Sequence, residues 1–273
     1  MTAITIKDGN GTIKYLDATG EGTAISPYTT EKDLMLEIAA GRSTCRSAVH
    51  KFGANTDVTK ETTEDVLDRG GTYIYPSKAN MTHLSQDVDQ AALRGQNVEI
   101  KGLDANWDEV VQIVVLNATN TTTAVALSTP LIRVNTMQVQ AGAIGTSNIR
   151  LHNVGDTISY SQITPTNNRT LQTHYSVARN KTAYMTNVYG DVVESTGKEP
   201  KSTEFNLLIA NRKNGWDFQL ASARGVPKAG AAAQHSFAPY LTISEMSDIK
   251  ITAHCSSEDG HVHAGFDLIV DEN

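Results

Sequence analysis

From residue 62 to the C-terminus the chain changes character at every second residue, and that alternation leaves few folds open. Val98-Glu99-Ile100-Lys101 sets apolar and polar side chains in turn. Successive side chains of an extended strand point to opposite faces, so a period of two marks strands with one buried face. Such runs occur at Thr72–Pro76, Val98–Lys101, Val111–Leu116, Thr121–Ala126, Leu131–Val139 and Asn148–His152. Turn residues separate them about every 8 to 12 positions, the spacing of a sandwich or barrel. Val111–Leu116 is apolar on both faces towards its end, which predicts a central strand covered on each side. Glu99–Val115 therefore reads as a sandwich hairpin, its Gly102–Asp108 turn leading from a half-exposed strand to a more buried one.

A polar, proline-containing stretch at 161–170 interrupts the series. Seven further strands are expected beyond it, at Thr173–Val177, Thr182–Val193, Glu204–Ala210, Trp216–Ala223, Ser236–Ile243, Asp248–Ala253 and Gly265–Val270. Residues 229–234 follow Pro227 and read as loop. The first 60 residues differ in kind. Asp8-Gly9-Asn10-Gly11 supplies a turn between Ile4/Ile6 and Ile13/Tyr15, and residues 29–41 form the one clear helix. Thr29 or Thr30 caps it, Glu31 and Asp33 suit its first turn, and Gly41 ends it. The expected architecture is mostly β: jelly-roll type β-sandwiches in two β units, with an N-terminal arm and one short helix. The units are 1–60 (arm, hairpin and helix), 61–163 (first sandwich) and 164–273 (second, jelly-roll-like sandwich). An arm with so few core residues of its own gains order by lying on a neighbouring subunit.

Composition narrows the function. The 273 residues carry a net charge of -7, with 39% hydrophobic and 19% charged residues. An acidic chain without Lys/Arg runs is a poor ligand for phosphate backbones, so no nucleic-acid partner is expected. No stretch approaches the ~20 apolar residues of a membrane span, and no charged-then-apolar leader opens the sequence. Two cysteines, Cys45 and Cys255, are too few for a disulfide scaffold and are expected as free, buried thiols.

Chemistry is sparse. His261-Val262-His263 on a strand would aim two imidazoles to one face, as in the H-x-H of metal-binding cupins, but the Glu and third His of that set do not follow. Cys45, flanked by arginines, has His50 nearby in sequence; a structural thiol is the simpler reading. Adjacent acids at Glu64/Asp65 and Glu258/Asp259 read as solvated loop, since nothing local supplies burial. There is no G-x-S-x-G elbow and no phosphate-cradling loop. No catalytic residue, no cofactor and no metal is therefore expected, and the chain is not read as an enzyme. Trp107 and Trp216 are the interface candidates, because a presented indole anchors contacts or stacks on sugars.

Two segments carry a family likeness. One is residues 48–76, AVHKFGANTDVTKETTEDVLDRGGTYIYP, followed by GLDANWDE and LIRVNTMQVQ; the other joins HYSVARNKTAYMTNVYGDVV to SDIKITAHCSS and HAGFDLIV. Together they resemble virion structural proteins of tailed bacteriophages of marine and freshwater hosts. Departures occur at Ala178-Arg179-Asn180, where that family has Pro-Ala-Gly before Lys181-Thr182-Ala183-Tyr184, and at Leu67-Asp68-Arg69, where it often has Trp before the Gly pair. The resemblance implies a jelly-roll capsid decoration (cement) protein. Its partners would be the major capsid protein or other virion proteins, and itself as a trimer or dimer, with assembly into the virion in the host cytoplasm. The alternative it implies is a tail, baseplate or head-fibre component that binds a glycan or receptor.

Overall fold

The computed structural model of the protein describes residues 4–7, 13–16, 34–43, 45–140 and 144–272. It divides into two compact units, Met1–Thr44 and Cys45–Asn273. In the first, β1 (Ile4–Lys7) and β2 (Ile13–Leu16) pair antiparallel with Ile4 opposite Leu16 and Lys7 opposite Ile13. The hairpin expected from the sequence is therefore present, while its Asp8–Gly11 turn lies outside the described residues. The helix is α1 (Leu34–Ala39), and its chain leaves through Gly41 at φ +66. The capping candidates Thr29 and Thr30 and the acids Glu31 and Asp33 also lie outside the described residues.

The second unit runs β3 (Arg46–Val58), β4 (Thr63–Asp65), β5 (Met81–Gln86), β6 (Asn97–Leu103), β7 (Glu109–Val115), β8 (Val125–Leu131), β9 (Arg133–Val139), β10 (Ile149–His152) and β11 (Ser159–Ile163). It continues with β12 (Tyr175–Ser176), β13 (Lys181–Val193), β14 (Thr203–Asn211), β15 (Gln219–Val226), β16 (Ala232–Ile243), β17 (Ser247–Cys255) and β18 (Gly260–Glu272). The molecule is mostly β, with antiparallel sheets in a sandwich arrangement and one short α-helix.

The strand order identifies a jelly roll. One sheet is β16-β13-β18-β3, and the facing sheet is β12-β17-β14-β15 with β4 also on β17. Taking β3 as the first strand and β18 as the last, with β4 and β12 sharing the second position, this is the paired Greek-key order of an eight-stranded jelly roll. Its core forms where alternation turns Val262, Phe266, Leu268 and Val270 of β18 towards Ile249, Ile251 and Ala253 of β17, with Met185 and Phe205 between them. Each of the larger side chains here, fully buried, contributes about 1.5–3 kcal/mol.

Between β4 and β12 the chain leaves to build a second sandwich. Its sheets are β11-β10-β5-β8 and β7-β6-β9, closed over Met81, Leu84, Ile100, Leu131, Met137 and Tyr160. The outgoing and returning strands run side by side: Thr173 N donates to Val66 O (3.0 Å), Asp68 N donates to Leu171 O (2.9 Å), and Leu67 bridges Gln172 antiparallel. The first sandwich is thus an insertion within one position of the jelly roll.

Several expectations change. Arg46–Val58, placed with the arm, is a thirteen-residue strand paired along β18 from Val58 opposite Gly260 to Arg46 opposite Asp271. A strand whose partner lies at the other end of the chain gives no local sign of membership. Val111–Leu116 is not covered on both sides: β7 ends its sheet, and Val111, Ile113 and Val115 are 63%, 54% and 49% exposed. Nor is β7 the more buried arm of its hairpin, since β6 buries Val98, Ile100, Gly102 and Leu103. Glu64 and Asp65 are not solvated loop but buried strand. Cys255 is buried, whereas Cys45 is exposed. Thr72–Pro76 forms no strand, β16 begins within the expected loop at Ala232, and Trp216 precedes its strand rather than starting it.

Candidate functional site

The two sandwiches meet along β17, and the side chains there build the site from below. Odd-numbered residues of β17 enter the jelly-roll core, so Asp248 and Lys250 face the inserted sandwich, where both are buried. Neither charge is left bare, as burial requires. Arg133 of β9 grips Asp248 through Nε (2.8 Å to Oδ1) and Nη2 (2.8 Å to Oδ2), and its Nη1 donates to Pro76 O (2.8 Å) and Ile132 O (2.9 Å). Ser176 Oγ donates to the same carboxylate. Lys250 Nζ lies 2.8 Å from Asp65 Oδ1, and His174 Nε2 lies 3.4 Å from Asp65 Oδ2, an ion-pair distance rather than a good hydrogen bond. Burial works to raise the pKa of Asp65, but His174 and Lys250 outweigh it and bring it down to about 2. Burial also pushes His174 down, against the pull of Asp65.

Above this seam stands a column of rings. The Arg133 guanidinium lies 5.0 Å from the Tyr75 ring centre and 4.9 Å from that of Trp107. Trp107 in turn stacks on Trp216, with centroids 4.9 Å apart and planes 23° from parallel. Arg133 reaches this place because β6 and β9 come together closely at Gly102, where a Cβ would sit 2.3 Å from Arg133 O.

Both tryptophans are set by tight turns. Asp104 Oδ1 accepts from Asn106 N (2.8 Å) and Asp108 N (3.0 Å), and Trp107 N donates to Asp104 O (3.0 Å). Trp216 follows a 3-10 turn, Arg212–Asn214, in which Asn211 and Asn214 cap each other reciprocally and Gly215 takes φ +69. Trp107 and Trp216 themselves adopt φ +66 and +69. Bulky residues rarely occupy this region, and they hold it only where the surroundings determine it.

The two interface candidates, 109 positions apart by their numbers, are thus neighbours. They differ in access. Trp107 is 6% exposed and packs with Leu103, Ile132 and Ala178, so it closes its own core; Trp216 is 37% exposed and presents the accessible indole. Around them opens a groove of about 660 Å³, lined also by Tyr75, Arg133, Arg179 and Met246. Arg179 is held by Asp108 at 2.8 and 2.7 Å. Apart from the two tryptophans, these lining residues carried no signal in sequence, because they come from separate loops and strand ends.

A second surface lies at the side of the jelly roll where, among the described residues, β15 and β16 end their sheets. Residues 232–243 contain no Asp, Glu, Lys or Arg. The β13–β16 register slips between Met185 (opposite Leu241) and Asn187 (opposite Ser236), so the chain between bulges outward. Tyr240 on this bulge is 50% exposed, and Leu220 on β15 is 62% exposed.

The remaining candidates stay apart. His261 and His263 share one face of β18 with ring centres 5.1 Å apart, and His263 Nδ1 lies 3.1 Å from Asp191 Oδ1. Burial lowers the pKa of His261, and His263 beside it adds to the effect. Among the described residues, no group of three or more His, Cys, Asp or Glu side chains is arranged to hold a metal ion. His50 is paired with Asp267 and lies 3.5 Å from Tyr189 Oη. No helix among the described residues is long and apolar enough to cross a membrane.

No protein-family model matches the chain, and no curated protein matches it. Two solved structures show a distant likeness. The structure of infectious bursal disease virus Gt strain is 9% identical over 83% of this chain and 72% of that one, with a TM-score of 0.20. The crystal structure of the infectious bursal disease virus VP2 subviral particle is 8% identical over 84% and 77%, with a TM-score of 0.18. At such scores neither carries an argument about this chain.

Proposed function

We propose that the protein is a structural component of a virus particle: a decoration protein on the head of a tailed bacteriophage, seated on the major capsid protein and on copies of itself. The observation that carries the reading is the uncharged edge strand β16, which ends its sheet among the described residues. A long, exposed edge strand without charges is a liability in a free monomer, because its unpaired backbone and apolar side chains invite association. Residues 232–243 carry no charge, so only Pro239 and the bulge around it interrupt this edge, and Tyr240 and Leu220 stand out beside the strands that end their sheets among the described residues. Such an edge suits a chain that spends its working life docked, and repetition over a symmetric shell turns modest single contacts into firm attachment. Of the segments that resemble phage virion proteins, 48–76 and 174–193 fall on or beside the jelly-roll strands, while GLDANWDE and LIRVNTMQVQ lie in the inserted sandwich. In this reading the chain performs no catalysis.

The test is to place a charge on the edge. Tyr240→Lys is expected to leave the isolated protein folded while reducing its incorporation into particles at least severalfold, read as copies per capsid subunit by quantitative mass spectrometry. A wild-type copy number comparable to the capsid protein supports head decoration. Unchanged incorporation of Tyr240→Lys would overturn docking through this edge, and a low copy number matching the tail symmetry would move the protein to the tail. The aromatic groove favours that second reading, a tail, baseplate or head-fibre component that binds a ligand.

A further inference from the structure

We infer that the groove at Trp107 and Trp216 is a binding site for a neutral carbohydrate, with Trp216 as the stacking platform. The inference concerns the isolated protein and holds whichever part of a particle carries it.

The stack has a direction. Trp107 packs against both Arg133 and Trp216 and is itself buried. Trp216 uses one face on Trp107 and remains 37% exposed. The free indole is therefore backed by a fixed column reaching down to the buried Arg133–Asp248 pair. A rigid, amphipathic ring of this kind gives contact area at little cost in conformational entropy, and its electron-rich face suits the C–H-lined face of a pyranose. The turn that presents Trp216 is fixed from both ends by the Asn211–Asn214 reciprocal cap, and Trp216 N donates to Asn211 O (3.0 Å). Two tryptophans held in left-handed backbone at one place is the kind of backbone outlier that concentrates at ligand sites.

Charge accounting sets the ligand class. The two cations of the groove are already matched: Arg133 by Asp248, and Arg179 by Asp108. Among the residues lining the groove no unmatched cation remains to attract phosphate or an acidic sugar; Arg212 and Lys213, on the turn before Trp216, line a neighbouring pocket with Glu245 instead. Ser77 and Asn106 give the rim polar groups of the sort that meet hydroxyls. A volume of about 660 Å³ falls within the roughly 300–1,000 Å³ of small-ligand clefts. Indole face, matched charges and a polar rim together describe a site for an uncharged polyhydroxylated ring.

The protein's only two tryptophans both lie here, so intrinsic tryptophan fluorescence reports on this groove alone. The experiment titrates the full chain with neutral mono- and disaccharides of glucose, galactose, mannose and N-acetylglucosamine, with saturation-transfer NMR as the second readout. At least one is expected to give a saturable change in emission and transfer to the sugar C–H protons. Trp216→Ala should weaken that binding at least tenfold, and Trp216→Phe less. Silence from every neutral sugar up to roughly 10 mM, beyond the millimolar range of weak single sites, overturns the assignment. Binding of sialylated or sulfated sugars in preference to neutral ones overturns the ligand class. Saturable binding that survives Trp216→Ala overturns the location. Loss of particle docking in Tyr240→Lys with sugar binding intact would separate this site from the edge.

Discussion

At the scale of single residues, buried charge decides most. Asp248 holds Arg133 by two guanidinium nitrogens, and both side chains are almost wholly withdrawn from water. Removing one partner of such a pair strands the other, which costs about 3–5 kcal/mol. Asp248→Asn is therefore expected to lower stability by that order in urea melts, with Arg133→Met/Asp248→Asn less destabilised than the single change. A loss under about 1 kcal/mol for Asp248→Asn would mean that the packing around the seam, not the pair, holds it. None of this was visible along the chain. Glu64 and Asp65 looked like two acids on a loop because their partners, Lys250, His174 and Asn55, come from other parts of the chain. The tryptophans were legible as residues to watch, since an indole in a turn is conspicuous. Which of the two is accessible was not legible, because that depends on Arg133 and Leu103 beneath Trp107.

At the scale of elements, the crossing pair at 66–68 and 171–173 carries an ionisable side chain, Asp68. Burial lifts the carboxyl of Asp68 to about 7 despite the hydrogen bonds it accepts from Leu171 N and Thr164. Nearby, burial and then Arg169 pull Lys51 down to about 7, while Asp68 acts to raise it. An acid whose folded pKa lies above its unfolded value holds more protons when folded, so stability falls as pH rises between the two values. For Asp68 that window runs from about 4 to about 7. Lys51 has the opposite sense above it: its folded pKa is depressed, so its term recovers as pH rises from about 7 towards its ordinary value. Asp68→Asn should accordingly remove the decline between pH 4 and 7, measured by chemical denaturation at stepped pH. Parallel profiles for the two proteins would show that Asp68 does not titrate in this range. The strands themselves were the best-read elements, since alternation located most of the β series. Val111–Leu116 was misread for a physical reason: apolar residues on both faces usually mean two covers, and here Val111, Ile113 and Val115 face outward.

At the scale of the whole molecule, the insertion makes a prediction of its own. Val66 and Thr173 are hydrogen-bonded neighbours, so the jelly roll can be closed across them by a short turn. The face that this deletion uncovers on β17 carries Asp248, Lys250, Thr252 and His254, which water can solvate. A chain with residues 67–172 replaced by a Gly-Ser turn is thus expected to remain folded, with lowered thermal stability but dispersed amide NMR signals and β-type circular dichroism. An unfolded product would mean that the inserted sandwich supplies core to the jelly roll rather than only a partner for its polar face. The sequence expected two sandwiches in series, the second beginning at 164. The jelly roll instead takes its first strand from Arg46–Val58 and closes around the other sandwich.

By itself the sequence determined the β class, the positions of most strands, the short helix, the N-terminal hairpin and the two tryptophans worth following. These are local properties: side-chain periodicity, turn residues and caps act within a few positions and need no knowledge of the partner. Only the tertiary structure decided that β3 pairs with β18, that one sandwich is inserted in the other, and that the polar face of β17 is a buried seam under a ring column ending at Trp216. Those outcomes rest on contacts between residues far apart in the chain, 225 positions in the case of Arg46 and Asp271. An alternating strand looks the same whether its polar face meets water or a matched charge.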